Sequence, residues 1–559
     1  MVRFFKAMLK PLGFLLITSL GFSALAAETK TDKPRNVIFV LMDDLRYDGM
    51  GFLQEELETP NIDQLAQTGV YFPNAVVTSS LCSPSRATIL TGMTARNHHI
   101  VDNNNSSEEG LIFFPKYMQD VGYKTGFFGK WHMGEDSDGP REGFDKWVSF
   151  AGQGSYFPKD GIPPHLLEQG MVNQLNVDGK HVDQQGYITD ELTDYAMNWL
   201  KNDVKKDQPF FLYLSHKAVH SDAKPAKRHQ GQYADTEFKL PDSAVVTEED
   251  AKNKPMWVHN QRNSWHGTDF FYASDRTMEE YLKDYYATLS AVDESLGKLV
   301  QYLKDEGLYE NTMVVFYSDN GFLIGDHGLI DKRNAYEGSV RVPLVISAPG
   351  LLPQGQTNEA LVRNLDMAPT FLELAGAKKP AQFEGKSFLP VASGKVKQAN
   401  WDEPDFVYEY YWEWSFPMTP TTFAIRRDNL KYIQYHGVWD IEELYDLEKD
   451  PEERHNLIRD PKYAEKLLPL RKALYASLRP ADGSKPAVPF NARLAEGMNL
   501  RKRDGLKAAP FPDWWLVEPN RKDIFMGLFP DTPLKIEKQR KGEMYFPFME
   551  KSSKEESTR

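Results

Sequence analysis

One cysteine, Cys82, stands in the run Cys82-Ser83-Pro84-Ser85-Arg86-Ala87-Thr88-Ile89-Leu90-Thr91-Gly92. Ser83 can cap and Pro84 can open a short helix that Gly92 ends, which sets Cys82 at the positive end of a helix dipole with Arg86 one turn away. Such a place favours an anion or an anionic transition state. Inert packing, the default for a lone thiol, needs neither feature. Asp43, Asp44, Asp319 and Asn320 offer an all-oxygen donor set that suits a hard divalent cation and not zinc or copper. Taken singly, Asp-Asp and Asp-Asn-Gly are also ordinary turn chemistry. Lys130 and His132 lie between glycines in Gly129-Lys130-Trp131-His132-Met133-Gly134, where Gly126, Gly129 and Gly134 let the backbone turn both side chains into a crowded site. His216, Lys217 and His220 form another basic group, and His327 precedes Asp331-Lys332-Arg333.

These groups need a scaffold that delivers them to one place. Val37–Met42 is apolar and β-rich and runs into Asp43-Asp44; Met313–Ser318 runs into Asp319-Asn320, and Phe210–Ser215 runs into His216 and His220. Strands that read as unbroken apolar runs are buried on both faces of a largely parallel sheet. Their carboxyl ends are where open α/β sheets bind ligands. Between them the period becomes helical, at Leu192, Tyr195, Ala196, Trp199 and Leu200, and at Leu289, Val292, Leu296, Leu299 and Leu303. A shorter helix starts after Thr59 with Pro60 in its first turn and stops at Gly69. The expected fold class is α/β, a large mostly parallel mixed sheet between helices, across 35–395. Aromatic, strand-like pieces at Phe406–Trp414 and Phe423–Tyr435 predict a smaller antiparallel sheet subdomain over 396–490. The extension 491–559 is expected to pack on the body, with a disordered end.

With 559 residues, 41% of them hydrophobic, the chain can bury a large core. Its formal net charge of −14 disfavours nonspecific nucleic-acid binding, so an anionic ligand needs a local basic pocket. Residues 1–26 read as a secretory signal: Arg3, Lys6 and Lys10, an apolar centre from Phe14 to Leu20, and Ala24-Leu25-Ala26 for cleavage. The apolar stretch is shorter than a membrane span, so no stable membrane anchor is expected. A lone cysteine in an exported protein forms no internal disulfide.

The segment around Cys82 resembles the sulfatase signature, Cys-x-Pro-x-Arg followed by threonine-glycine, at every position. The resemblance runs from about Arg35 to Leu457. It implies an alkaline-phosphatase-like fold and oxidation of Cys82 by a formylglycine-generating or sulfatase-maturing enzyme to formylglycine (3-oxoalanine). One hydroxyl of the hydrated aldehyde then attacks sulfur and displaces the alcohol; the other loses its proton as sulfate is expelled. The resemblance further implies one calcium ion held by Asp43, Asp44, Asp319 and Asn320 beside residue 82, which also contributes to the metal site. Arg86 belongs to the signature. Lys130 contacts nucleophile and sulfate, His132 takes the proton from the second hydroxyl, His220 is the general acid at the leaving oxygen, and Lys332 holds the sulfate. Val219 stands where family members commonly have proline.

Within the family, Tyr187–Leu200, the His-Lys-x-x-His segment and the Asp331-Lys332-Arg333 loop resemble carbohydrate sulfatases. That implies hydrolysis of sulfate esters on a carbohydrate, a sulfated polysaccharide or its oligosaccharides of algal or glycosaminoglycan type, in a bacterial periplasm or outside the cell. Residues 151–185 and 222–275 are long, polar and aromatic, as specificity insertions are. Trp257, Trp265, His266, Trp412 and Trp414 are candidate sugar platforms or packing residues. Trp265, His216 and His327 are carried as substrate contacts, though His216 reads equally as a surface histidine and His327 equally as a loop-ordering one. Alternatives on the same fold are an arylsulfatase, a phosphonate or phosphate ester hydrolase, and an inactive sugar-binding homologue.

Overall fold

Strand β1 (Asn36–Met42) is buried along its whole length, and its alternating side chains feed two separate cores. Ile38, Val40 and Met42 join Leu192, Ala196, Trp199, Leu289, Leu296 and Leu299 on one face. Val37, Phe39 and Leu41 join Ala87, Leu90, Phe371 and Leu372 on the other. The first face is covered by helices Ile188–Asn202 and Met278–Asp305, the second by Cys82–Thr91 and Met367–Ala375. Two-sided burial is why these strands read as continuous apolar runs. The computed structural model describes residues 35–478 except 105–109, 135–137, 263, 265, 269–275, 403–404, 414–415 and 437–439. The 1–26 signal, Trp265, Trp414 and the 491–559 extension lie outside the described residues.

The other strands are β2 (Val70–Tyr71), β3 (Ala75–Val76), β4 (Lys124–Lys130), β5 (Lys146–Phe150), β6 (Gln174–Val177), β7 (Lys180–Asp183) and β8 (Phe210–Ser215). They continue with β9 (Thr312–Ser318), β10 (Leu344–Ser347), β11 (Gln356–Thr357), β12 (Val362–Arg363), β13 (Phe406–Tyr410), β14 (Thr422–Arg427), β15 (Leu430–Tyr435) and β16 (Glu443–Asp446). The main sheet has ten strands in the order β11-β2-β10-β9-β1-β8-β4-β5-β6-β7. Strands β9, β1, β8, β4 and β5 run parallel; β10 and β6 turn the edges antiparallel. In register, Met42 faces Ser318, Leu41 faces Ser215, and Ser215 faces Gly129. Four neighbouring strands therefore end together, and their polar successors meet at one edge.

Strands β13 to β16 form a separate antiparallel sheet. Tyr408, Tyr410, Ala424, Ile433 and Tyr445 on one face pack with Leu81, Leu329 and Tyr336 of the main body. Phe423, Ile425, Tyr432 and Leu444 on the other pack with Leu470 and Leu474 of helix Ala464–Ser477, which the sequence reading did not anticipate. The small sheet thus braces the segments leading into Cys82 and Lys332. Among the described residues no helix is long and apolar enough to cross a membrane.

Candidate active site

The Cys82–Thr91 helix begins at Cys82 itself, two residues earlier than its sequence signals indicate. Leu81, extended, is the N-cap, and Gly92 closes the helix in the left-handed region at φ 61°. Ser83 does not cap. Its N–H donates to Asn103 Oδ1 at 3.1 Å and its hydroxyl donates to the carbonyl of His132. The spare serine hydroxyl thus ties the helix start to the Lys130–His132 turn.

Cys82 Sγ is fully buried among the ends of four strands. It lies 3.4 Å from Asp43 Oδ1, 3.5 Å from Lys130 Nζ and 2.9 Å from Lys332 Nζ. Burial pushes the thiol up to about 12, and Asp43 adds to the rise, so this cysteine is not a thiolate nucleophile at neutral pH. Lys130 pairs with Asp43 and Lys332 with Asp44. Burial alone would raise Asp43, yet Lys130, His220, Arg86 and Lys332 together hold its carboxyl well below the usual range. Burial likewise works against Lys332, but Asp44, with Cys82 and Asp43, raises it above an ordinary lysine.

Arg86, also buried, organises the floor. Its Nε donates to Asp319 Oδ2 at 2.8 Å, and Nη1 donates to the carbonyl of Lys130 at 2.7 Å and to Ser215 Oγ at 2.6 Å. Gly129 makes the close approach of β4 and β8 possible: at φ 121°, a Cβ there would sit 1.8 Å from the carbonyl oxygen of Ser215. His132 holds a left-handed φ of 55°, its Nδ1 3.4 Å from Ser83 Oγ. His220 Nε2 lies 3.7 Å from Asp44 Oδ2, and its Nδ1 sits 2.6 Å from the carbonyl of Ser221. Burial, opposed by Asp43 and helped by the lysines, holds His220 well below the usual histidine range.

The ligand atoms of Asp43, Asp44 and Asp319 lie within 4.8 Å of one another. Asn320 donates its amide nitrogen to Asp44 Oδ1 at 2.7 Å, while its buried Oδ1 has no hydrogen-bond partner. Burial and the nearby Asp43 and Asp44 carboxylates raise Asp319 to about 7 against the pull of Arg86. An orphaned buried oxygen beside three crowded carboxylates is a donor set that fits a hard cation.

Above this floor opens a cavity of about 410 Å³, walled by Asp44, His220, Lys332, Gln153, His266 and Phe416 among others. Three features of it escaped the sequence reading. Gln153 Oε1 accepts from Lys130 Nζ at 2.5 Å; Asn103 lines the wall; and Phe416 stacks on Arg333, 3.4 Å from guanidinium carbon to ring centre. Arg333 is fixed by Asp331 at 2.9 Å and by Glu413, and His266 approaches Asp331 at 3.3 Å. No local motif announces Gln153 or Phe416, because loops far from the signature carry them.

The structure brings together Cys82, Arg86, Lys130, His132, His220, Lys332, Asp43, Asp44, Asp319 and Asn320, and places His266 at the rim. It does not bring in four other candidates. His216 is fully buried, its Nε2 3.5 Å from Ser295 Oγ, because its backbone N–H extends the β8 pairing to Leu41 and turns the ring toward helix Met278–Asp305. Burial takes its pKa down to about 3, and, fully buried and outside the lining of the 410 Å³ cavity, it is neither a surface histidine nor a substrate contact. His327 is buried with its ring 4.2 Å from that of Tyr336 and faces a different cavity, so it orders its loop. Trp257 is a core residue between Tyr336 and Tyr435 and not a sugar platform. Trp412 donates to the carbonyl of Pro417 at 3.3 Å and does not line the cavity.

The sulfatase family model matches residues 35–377, and the model of the N-sulphoglucosamine sulphohydrolase C-terminal region matches 325–479. The N-acetylglucosamine-6-O-sulfatase of Bacteroides thetaiotaomicron is 32% identical over 522 residues, covering 84% of this chain and 90% of that protein. The human N-acetylglucosamine-6-sulfatase is 28% identical over 532 residues, 85% of this chain and 91% of its own length. Among solved structures, BT4656 in complex with its substrate D-glucosamine-2-N,6-O-disulfate superposes with a TM-score of 0.70 at 29% identity, over 81% of this chain and 99% of that one. The chain belongs to the sulfatase family and is a sulfuric ester hydrolase.

Proposed function

We propose that this protein is an exported sulfatase that hydrolyses sulfate esters on a carbohydrate, a sulfated polysaccharide or its oligosaccharides, after a maturation enzyme has converted Cys82 to formylglycine. The observation that carries the reading is the convergence of Lys130, Lys332 and Asp43 within 3.5 Å of Cys82 Sγ at the carboxyl edge of the sheet. The named relatives favour a sugar alcohol, and an amino sugar sulfated at O6 is the first substrate to try.

When present, formylglycine and calcium supply a hydrated aldehyde hydroxyl as nucleophile and a charge that favours its ionisation. Asp43, Asp44, Asp319 and Asn320 would hold the metal, with residue 82 beside it. Lys130 and Lys332 flank position 82 and hold anionic sulfate oxygens, which a neutral donor would do less strongly. Arg86 stays on Asp319 and orients that carboxylate. His132, locked by Ser83, takes a proton at the helix start. His220 faces the cavity and protonates the departing oxygen; an incoming sulfate adds negative charge and so raises its low affinity for a proton.

The test joins two measurements on protein made with maturation machinery present. Mass spectrometry of the peptide containing Cys82 is expected to show the aldehyde or its hydrate, and a panel of defined sulfated oligosaccharides is expected to release sulfate. A thiol at position 82 in the native host would return the inactive sugar-binding alternative. A clear preference for phosphate esters over sulfate esters would overturn the assignment of substrate.

A further inference from the structure

Gln153 is a wall shared by two cavities. On one side it lines the 410 Å³ cavity and accepts from Lys130; on the other it lines a second, larger cavity of about 720 Å³ built from the 150–188 region and Asp138. Both volumes fall in the range of small-ligand pockets. The second cavity is lined by side-chain amides: Gln153, Gln169, Asn173, Gln174 and Gln184. Amides present a donor and an acceptor each, the pairing that matches sugar hydroxyl and acetamido groups.

Four of these amides are fixed in place by structural bonds: Gln153 accepts from Lys130, Gln174 donates to Asp183 Oδ1 at 3.0 Å, and Gln184 and Asn173 are tied to backbone carbonyls. Gln184, buried, donates its amide nitrogen to the carbonyls of Ser155, Tyr156 and Gly186; Asn173 donates to the carbonyls of Phe157 and Asp160. Their nitrogens being committed, their oxygens are the atoms left to accept from a ligand. The loop they hold is the one that carries Gln153, and Tyr156 of the same loop donates to the carbonyl of His220 at 2.7 Å. The second cavity and the reacting cavity thus share one rigid wall.

Charge separates the two cavities. The first holds Lys332 and Arg333; among the described residues the second has no lysine or arginine in its lining, and its ionisable groups are Asp138, Asp183 and His181. Asp138 is partly spent on Asn176 and on His181, each at 3.1 Å. A cavity with carboxylates and without a fixed cation repels a sulfate or a uronate.

We propose that this amide-lined cavity is a second sugar subsite, which takes an uncharged sugar unit joined to the sulfated one and discriminates against a uronic acid or a second sulfated unit there. The inference rests on the carbohydrate reading above. It makes the preferred substrate an oligosaccharide in which a sulfated unit neighbours a neutral one.

The experiment compares kcat/KM of the matured full-length enzyme on three substrates: N-acetylglucosamine 6-sulfate, the same unit linked to galactose, and the same unit linked to glucuronic acid, each disaccharide in both linkage orders. In one linkage order the galactose disaccharide is expected to exceed the monosaccharide at least fivefold, with the glucuronate disaccharide below it. Gln169→Ala with Gln174→Ala, both at exposed positions, and Met171→Trp, which fills the mouth, should bring the disaccharide-to-monosaccharide ratio to about one. Asp183→Lys should raise the glucuronate disaccharide relative to the galactose one. Equal rates on all three sugars, with ratios unmoved by the variants, would overturn the subsite and leave the carbohydrate reading standing. Release of sulfate from none of the three would overturn the carbohydrate reading for this sugar and the subsite with it.

Discussion

Lys332 Nζ lies 2.9 Å from Cys82 Sγ across 250 positions of sequence, and the same ammonium is paired with Asp44. Around Cys82 the buried acids Asp43, Asp44 and Asp319 face the buried bases Arg86, Lys130 and Lys332, with Lys217 buried nearby as a further base. A divalent cation added to this set leaves a net positive pocket, which is what a sulfate ester needs. Lys332→Ala is therefore expected to lower kcat/KM on a sulfate ester by about 10²–10³-fold, the usual cost of one lost charge-stabilising donor. Steady-state kinetics on the matured variant checks this, and undiminished turnover would remove Lys332 from the site.

Removal of the metal should show in stability as well as in rate. Asp43, Asp44 and Asp319 already pair with Lys130, Lys332 and Arg86, and a divalent cation would further ease the repulsion that remains among three carboxylates within 4.8 Å of one another. Chelation should lower the melting temperature and calcium restore it, with about 2.7 kcal/mol of stabilisation at a hundredfold excess over Kd. Asp319→Asn should blunt the response. A melting curve indifferent to calcium and to chelator would exclude this donor set as a calcium site.

Arg86 tests how far floor and fold are one object. Its guanidinium serves Asp319, the Lys130 carbonyl and Ser215 at once, a fork that lysine cannot reproduce. Arg86→Met leaves Asp319 buried without its partner, and a loss of about 3–5 kcal/mol in chemical denaturation is expected. Arg86→Lys should fall between the two. A variant as stable as the parent would mean that Asp319 is held by something else.

Strand ends and the resemblance carried by the Cys82–Gly92 signature made this site legible in the sequence. Apolar runs that stop at Asp43, Asp319 and His216 mark one sheet edge, because two-sided burial forces an unbroken pattern and the first polar residue has to leave the sheet. The same logic mislocated His216, since the β8 pairing runs one residue past the apolar run and turns that ring into the core. Gln153 and Phe416 were illegible for a different reason. Each reaches the pocket through a loop whose path is set by packing, Tyr156 beneath the first and Arg333 beneath the second, and no spacing rule encodes that. Trp257 shows the converse case, an aromatic residue in a polar insertion, read equally as a sugar platform or a packing residue, that turned inward against Tyr336.

Gly129 offers a purely steric test. Any Cβ would strike the Ser215 carbonyl at 1.8 Å, and the backbone is in the left-handed region. Gly129→Ala should destabilise by about 3 kcal/mol or more and pull Lys130 off Asp43. Normal stability together with normal turnover would show that β4 and β8 can separate without harm.

Lys217 yields the pH prediction. Its ammonium is buried, rests 4.9 Å from the Tyr156 ring centre, and has burial and then Lys130 pushing its pKa from 10.5 down to about 8. A depressed lysine binds fewer protons folded than unfolded between about pH 8 and 10.5, so stability rises with pH across that window and the full penalty is felt below it. The shift corresponds to a cost of roughly 3 kcal/mol at neutral pH. Lys217→Met, close in length and without the charge, should therefore be more stable than the parent at pH 7, by up to that amount, and the gap should close on titration toward pH 10.5. Denaturant unfolding of both proteins from pH 7 to 10.5 measures it. Parallel stability profiles would show that the nearby Asp43, Asp222 and Asp44 carboxylates offset the burial of Lys217.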